Sequence, residues 1–282
     1  MRTGSLLAAG LVVLSACALR AGVAARPQQP SIVYRSVRLA SPQRPPEVYV
    51  VPPSGARRLL ARDADQPAWS PGRKRIAYAG ATPGKQGIWV MNADGHGKRR
   101  LTRLGGDGEP TWSPDLRRIA FRRVRAGAFD LFVVPAAGGR VQRLFGGPQT
   151  SELAPDWSPD GRWIAFQSTR GGQIQVWVLN LKTRGVRRIT RESPSFSPDW
   201  SPGGRRIAYA TRGRIATVGA DGRGARILRS GFPANAGDPA WSPDGRRIAF
   251  QRGGQVLTMR TDGSDRRYAT RATWGTNGDP DW

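Results

Sequence analysis

One phrase returns all along the chain and constrains its fold more than anything else. Its clearest copy, Pro155 to Phe166, reads PDWSPDGRWIAF; other copies start at Pro67, Pro110, Pro198 and Pro239. The sequence stops on Pro280, Asp281 and Trp282, the first three letters of a further copy. The tryptophans heading the phrase are Trp69, Trp112, Trp157, Trp200, Trp241 and Trp282, spaced 41 to 45 residues apart. That period is the length of a four-stranded propeller blade.

Each repeat divides accordingly. The segment at the Trp reads as strand A. Ser-Pro-Asp-Gly, as at Ser158 to Gly161, is a tight turn in which Pro fixes φ and Gly accepts φ > 0. Arg-x-Ile-Ala-Phe/Tyr is strand B, with Ile164 and Phe166 on one face and Ala165 on the other. Strand C follows, as in Ile88 to Met91, then an Asp-Gly hairpin such as Asp94-Gly95. Strand D closes the unit, as in Arg187 to Thr190. At the start of the array, Ser31 to Tyr34 matches B, Glu47 to Val50 matches C and Arg57 to Leu60 matches D. The strand A they lack is Asp279 to Trp282. The expected fold is therefore all-β: a six-bladed propeller over residues 31–282, its ring closed by the C-terminal strand A against the N-terminal strands B to D, which removes free sheet edges. Each leading Trp buries about 150–250 Å², roughly 4–6 kcal/mol before entropy is subtracted, so core packing accounts for these residues.

Ahead of the repeats, Arg2 and the apolar run Leu6 to Leu14 read as a secretory signal, too short to span a bilayer. Leu14-Ser15-Ala16-Cys17 resembles a bacterial lipobox. It implies a signal over residues 1–16, lipidation of Cys17 and a tether over 17–30. The rival reading is cleavage after Ala25. Either one exports the protein. Cys17 is the sole cysteine and His96 the sole histidine, so neither an intramolecular disulfide nor a Cys/His zinc site can form.

The phrase P-x-W-S-P-D-G-R-x-I-A-F with its Asp-Gly hairpin resembles the WD40-like repeat of the TolB β-propeller family, also found beside prolyl-oligopeptidase-type peptidases. The resemblance covers residues 31 to 282 and implies a propeller that binds other proteins. The separate α/β domain of TolB proteins and the hydrolase domain of the peptidases have no counterpart here, and neither do the paired Gly-His and Trp-Asp of true WD40 repeats.

Catalytic motifs are missing. There is no Gly-x-Ser-x-Gly elbow, His96 falls in a hairpin turn, and Gly80 to Gln86 has the wrong spacing for a P-loop. Two surfaces carry charge in patterns worth weighing. Asp65, Glu109, Asp156, Asp199, Asp238, Asp279 and Asp281 precede the strand A tryptophans and are expected at the mouth of the central channel, as a site for a cationic peptide or a metal ion. Their varied offsets from the Trp argue against a regular metal ring, and Asp and Pro in such places also simply form turns. The second is a belt on strands B and D: Arg99, Arg100, Arg187, Arg188, Arg266 and Arg267, with Arg205, Arg206, Arg246 and Arg247. In a chain of net charge +25, it suits an anionic membrane or wall polymer; nucleic acid is the weaker reading for an exported protein, and a codon bias toward Arg is the bland one. The expectation is a monomeric, non-catalytic propeller at the cell envelope, lipid-anchored, without cofactor or metal, that binds a protein or peptide. A channel-bound or metal-dependent hydrolase is the competing class.

Overall fold

The computed structural model describes residues 31–38, 44–53, 55–228, 235–270 and 275–282. Cys17, the signal over 1–16, the tether over 17–30 and the alternative cleavage after Ala25 lie outside the described residues. Every regular element among the described residues is a strand, and the strands form six four-stranded antiparallel sheets.

Blade 3 shows the common plan. Strand A (Glu152–Trp157) pairs with B (Trp163–Ser168), B with C (Gln175–Asn180), and C with D (Val186–Arg188). The turn between A and B is the Ser-Pro-Asp-Gly expected from sequence. Gly161 N–H donates to Ser158 O, with Gly161 at φ 70°. Asp160 accepts from the Ser158 hydroxyl and the Arg162 N–H, which fixes the turn's shape. Blades 1 and 2 depart from it, with Arg73 and Leu116 in the glycine's place at φ 58° and 62°.

Blade 6 is assembled from both ends of the array. Its sheet runs Gly275–Asp281, Ile32–Arg38, Glu47–Val51, Arg58–Arg62. Val33 lies opposite Asp281 and Arg35 opposite Gly278. The closure read from sequence is the one observed.

Six hydrophobic clusters lie in the six gaps between successive blades. Between blades 2 and 3, Ala120, Leu131 and Leu144 meet Trp157, Ile164, Phe166 and Leu179. Between blades 3 and 4, Ala165, Val176 and Val178 meet Trp200, Ile207 and Tyr209. Each strand B therefore turns its large residues to the preceding blade and its alanine to the following one. Ile164, Ala165 and Phe166 are all fully buried for that reason. A blade alone would leave both faces wet; the ring covers them. Trp112, Trp157, Trp200 and Trp282 are buried in these seams, as a core role requires.

Candidate functional site

The innermost strands surround an axial cavity of about 680 Å³. Its geometry starts from a kink built into every strand A. Gln66, Glu109, Ala154, Ser197, Asp238 and Asp279, three residues before the blade's Trp, have φ between 45° and 51°. At the same point the A–B register slips, as between Leu153 and Asp156 in blade 3 or between Phe196 and Asp199 in blade 4. This is a β-bulge. The next residue is always proline, which has no N–H for the ladder and is tolerated where the ladder is interrupted. Left-handed φ at residues other than glycine costs about 1–3 kcal/mol each and gathers at functional places.

The residue just before the Trp forms a second tier. In blades 3, 4 and 6 it is aspartate, and each carboxylate reaches the next blade. Asp156 Oδ2 accepts from Trp200 N–H at 2.7 Å, Asp199 Oδ2 from Trp241 N–H at 2.6 Å, and Asp281 Oδ2 from Trp69 N–H at 2.5 Å. The first tier clasps neighbours too. Gln66 Oε1 accepts from Glu109 N–H at 2.9 Å and Glu109 Oε2 from Ala154 N–H at 2.6 Å, while Ser197 Oγ donates to Asp238 Oδ1 at 3.0 Å.

The structure brings Glu109, Asp156, Asp199, Asp238, Asp279 and Asp281 into the cavity wall. Asp65, four residues before its Trp, has the opposite strand parity. It sits behind the wall at 3.5 Å from Arg35 Nε, and Asp279 lies 3.1 Å from the same atom. Arg122 pairs with Glu109 at 3.1 Å. Nothing in the phrase announces Arg35 or Arg122, because both come from the far end of strand B.

Asp156 and Asp199 have no such relief: among the described residues neither forms an ion pair, and only Asp281 has a cation, Arg73, near enough to offset part of its charge. Burial, reinforced by Asp281, pushes Asp156 up to about 7. Burial raises Asp199 well above the carboxylate range, and the charges of Asp156 and Asp281 add to it. Burial also lifts Asp281 to about 6, against the opposing Trp69 and Trp282 N–H groups and the Arg73 charge. Asp279 is pushed up to about 7 by burial and by Asp238, with Arg35 opposing. Burial raises Asp65 and Glu109, while Arg35 and Arg122 respectively pull them back. Arg73 is the one cation among the described residues that line the cavity. Among the described residues, no three His, Cys, Asp or Glu side chains are grouped so as to hold a metal ion. His96 is exposed in the C–D hairpin of blade 1, outside the cavity lining.

The arginines of strand D sit differently from a solvent-facing belt. Arg99 donates to the Ala136 and Ala137 carbonyls of blade 2, both at 2.7 Å. Arg187 donates to Ala220 O of blade 4 at 2.9 Å. Arg58 reaches Asp94 O of blade 1 at 2.7 Å, and Arg226 reaches Thr261 O of blade 5 at 3.2 Å. In each case a guanidinium staples one blade to the next blade's C–D hairpin. Arg100 holds Gly84 O and Gln86 O of its own blade and lies over Trp89. Arg267 pairs with Asp265 at 2.9 Å, and Arg188 and Arg266 are exposed. On strand B, Arg206 bonds Thr217 and Gly224, and the buried Arg247 pairs with Asp265; Arg205 and Arg246 are exposed.

The TolB β-propeller domain pattern matches residues 43–152 and 146–282, nearly the whole of the ring. The chain belongs to that family. Among solved structures, TolB from Acinetobacter baumannii superposes with a TM-score of 0.78 at 23% identity, over 90% of this chain and 66% of that one. TolB from Agrobacterium tumefaciens gives 0.55 at 21% identity, over 89% and 91%. A chain of a nidogen/laminin complex gives 0.73 at 8% identity, over 89% and 97%. At such identities the likeness is one of fold. No curated protein sequence matches the chain significantly.

Proposed function

We propose that this TolB-type propeller is an exported, lipid-anchored, non-catalytic protein of the cell envelope that binds a basic peptide segment of a protein partner in its axial cavity. The supporting observation is the inner tier. Asp156, Asp199 and Asp281 face a cavity walled largely by proline and tryptophan; Arg73 offsets part of the charge of Asp281, and no cation among the described residues pairs with Asp156 or Asp199. A Lys or Arg side chain entering the channel would supply the missing countercharge, while its stem packs on the proline walls. Family membership accords with protein binding. The leader ending at Cys17 motivates export and anchoring.

The test is capture from envelope extracts by the parent chain and by Asp156→Asn/Asp199→Asn, which keeps the clasp acceptors and removes both charges. Loss of one partner, with the fold intact by circular dichroism, is expected. Equal capture by both proteins would refute the channel as the site. Mass analysis of the N-terminal peptide decides separately whether Cys17 carries lipid or the chain starts after Ala25.

A further inference from the structure

We infer that the face bearing the A–B turns is a docking surface for an anionic phospholipid membrane, read by a collar of five cations: Lys74, Arg117, Arg162, Arg205 and Arg246. The inference deepens the envelope reading above and rests on it only for the side from which the membrane is met.

Each collar residue follows the A–B turn of its blade, in blades 1 to 5, and each is exposed. One backbone bond repeats at all five. The carbonyls of Lys74, Arg117, Arg162, Arg205 and Arg246 accept from the N–H groups of Ala93, Ala136, Leu181, Ala220 and Thr261 at the start of the adjoining C–D hairpin, at 2.8 to 3.3 Å. The five side chains therefore spring from equivalent anchored points on one end of a rigid ring. Among the described residues none has a side-chain hydrogen bond or ion pair. This separates them from Arg99, Arg187 and Arg226, whose guanidinium groups are held by neighbouring blades. Acids share this end: Asp94, Asp221 and Asp262 follow the anchoring hairpin residues, and Asp115, Asp160 and Asp244 lie in the A–B turns, where the charges of Arg117, Arg162 and Arg246 act on them. The three turn acids each give one oxygen to the serine hydroxyl and Arg N–H of their own turn, and the three hairpin acids each hold an N–H of their own hairpin.

Two features favour a membrane over a flexible polymer. The collar lies around one end of the ring, as a flat charged surface requires. The chain also enters the propeller on this side, because Arg73 in the A–B turn of blade 1 donates to Ser31 O. The 13 residues between Cys17 and Ser31 reach no farther than about 45 Å. A lipid at Cys17 would thus present this end to the bilayer. The bulge end of the channel, beside Glu109 and Asp279, would then face away, toward a partner.

The experiment uses the chain begun at Ala18. It retains all six sheets and the closure of blade 6, and it has no cysteine, so the fate of Cys17 cannot affect the result. It is sedimented with phosphatidylcholine vesicles and with vesicles containing phosphatidylglycerol, across a salt series. Salt-sensitive binding to the anionic vesicles alone is expected. Each collar cation contributes about five-fold, so the variant Lys74→Gln, Arg117→Gln, Arg162→Gln, Arg205→Gln, Arg246→Gln should lose at least about 100-fold. The variant with Arg103, Arg125, Arg191, Arg212 and Arg214 changed to Gln, at the opposite end, should bind like the parent. Three outcomes overturn the inference: no binding by the parent, undiminished binding by the collar variant, or equal loss in the opposite-end variant. Retention of the parent by a soluble anionic polymer but not by vesicles counts with the first.

Discussion

Asp156→Asn should stabilise the protein, most strongly above neutral pH. Asp156 titrates at about 7 in the folded chain against an ordinary 3.8. One pH unit of displacement corresponds to about 1.4 kcal/mol. Holding the carboxylate ionised at pH 8 therefore costs at most about 4 kcal/mol, and about 2 kcal/mol once water in the half-open channel is allowed for. Asparagine removes that cost and keeps a carbonyl oxygen for Trp200 N–H and an amide for Thr111 Oγ1, two of the partners of the native side chain. A raised carboxylate means that, between about pH 4 and pH 7, the folded state holds a proton the unfolded chain has released. The parent thus gains stability from this group as pH falls through 7, and the advantage of asparagine fades over the same window. Thermal unfolding should show roughly 4 to 6 °C in favour of Asp156→Asn at pH 8, a smaller gain at pH 5, and almost nothing near pH 3.5. Asp156→Ala, which orphans Trp200 N–H, should instead lose about 1–3 kcal/mol near pH 3.5, where the carboxyl itself costs nothing. A destabilised asparagine variant at pH 8, or a gain undiminished at acid pH, would refute the reasoning.

Other consequences are read by chemical denaturation. Trp157→Ala should cost about 3–5 kcal/mol, because it opens a cavity in the seam between blades 2 and 3. Arg99→Ala should cost about 1 kcal/mol through loss of its two bonds to blade 2, whereas Arg188→Ala, on the exposed face of strand D, should stay within about 0.5 kcal/mol. Thr190→Val deprives the buried Val176 N–H of its 3.0 Å acceptor and should cost about 1–2 kcal/mol; no measurable change would show that water replaces the hydroxyl. Arg170→Met leaves the fully buried Glu152 carboxylate without its ion-pair partner and should cost about 3–5 kcal/mol.

The phrase made the architecture legible because one residue pattern serves one structural job six times. Ile164, Phe166 and Ala165 alternate, so the sequence separates the large face from the small one. That stacked neighbours cover both faces follows from the propeller reading; what the phrase hid was which neighbour meets the large residues and which the alanine. The first three letters of the phrase encode the bulge, but a left-handed φ at residues as different as Gln66, Ala154 and Asp238 leaves no residue-type signature. That is why the channel acids looked irregular. Their offsets vary because they fill two tiers of the same parity, and Asp65, of the other parity, falls outside the wall. The strand D arginines read as a solvated belt because nothing in a sequence shows how far a guanidinium reaches across a seam. Arg73 did leave a trace, as an arginine where three other turns have glycine.

Asparagine-for-aspartate arguments treat the blades as equals, yet the inner tier is unequal. Reading around the ring from blade 1, it carries Ala68, Thr111, Asp156, Asp199, Ala240 and Asp281. A ring with six identical positions would admit a guest in six equivalent rotations. Here charge stands in adjacent blades 3 and 4 and again in blade 6, so no rotation maps the pattern onto itself. The bulges hold the backbone constant while the side chains break the symmetry. A channel built from copies of one phrase thereby has a single azimuth, and a bound segment with two or more cations would be held in one orientation.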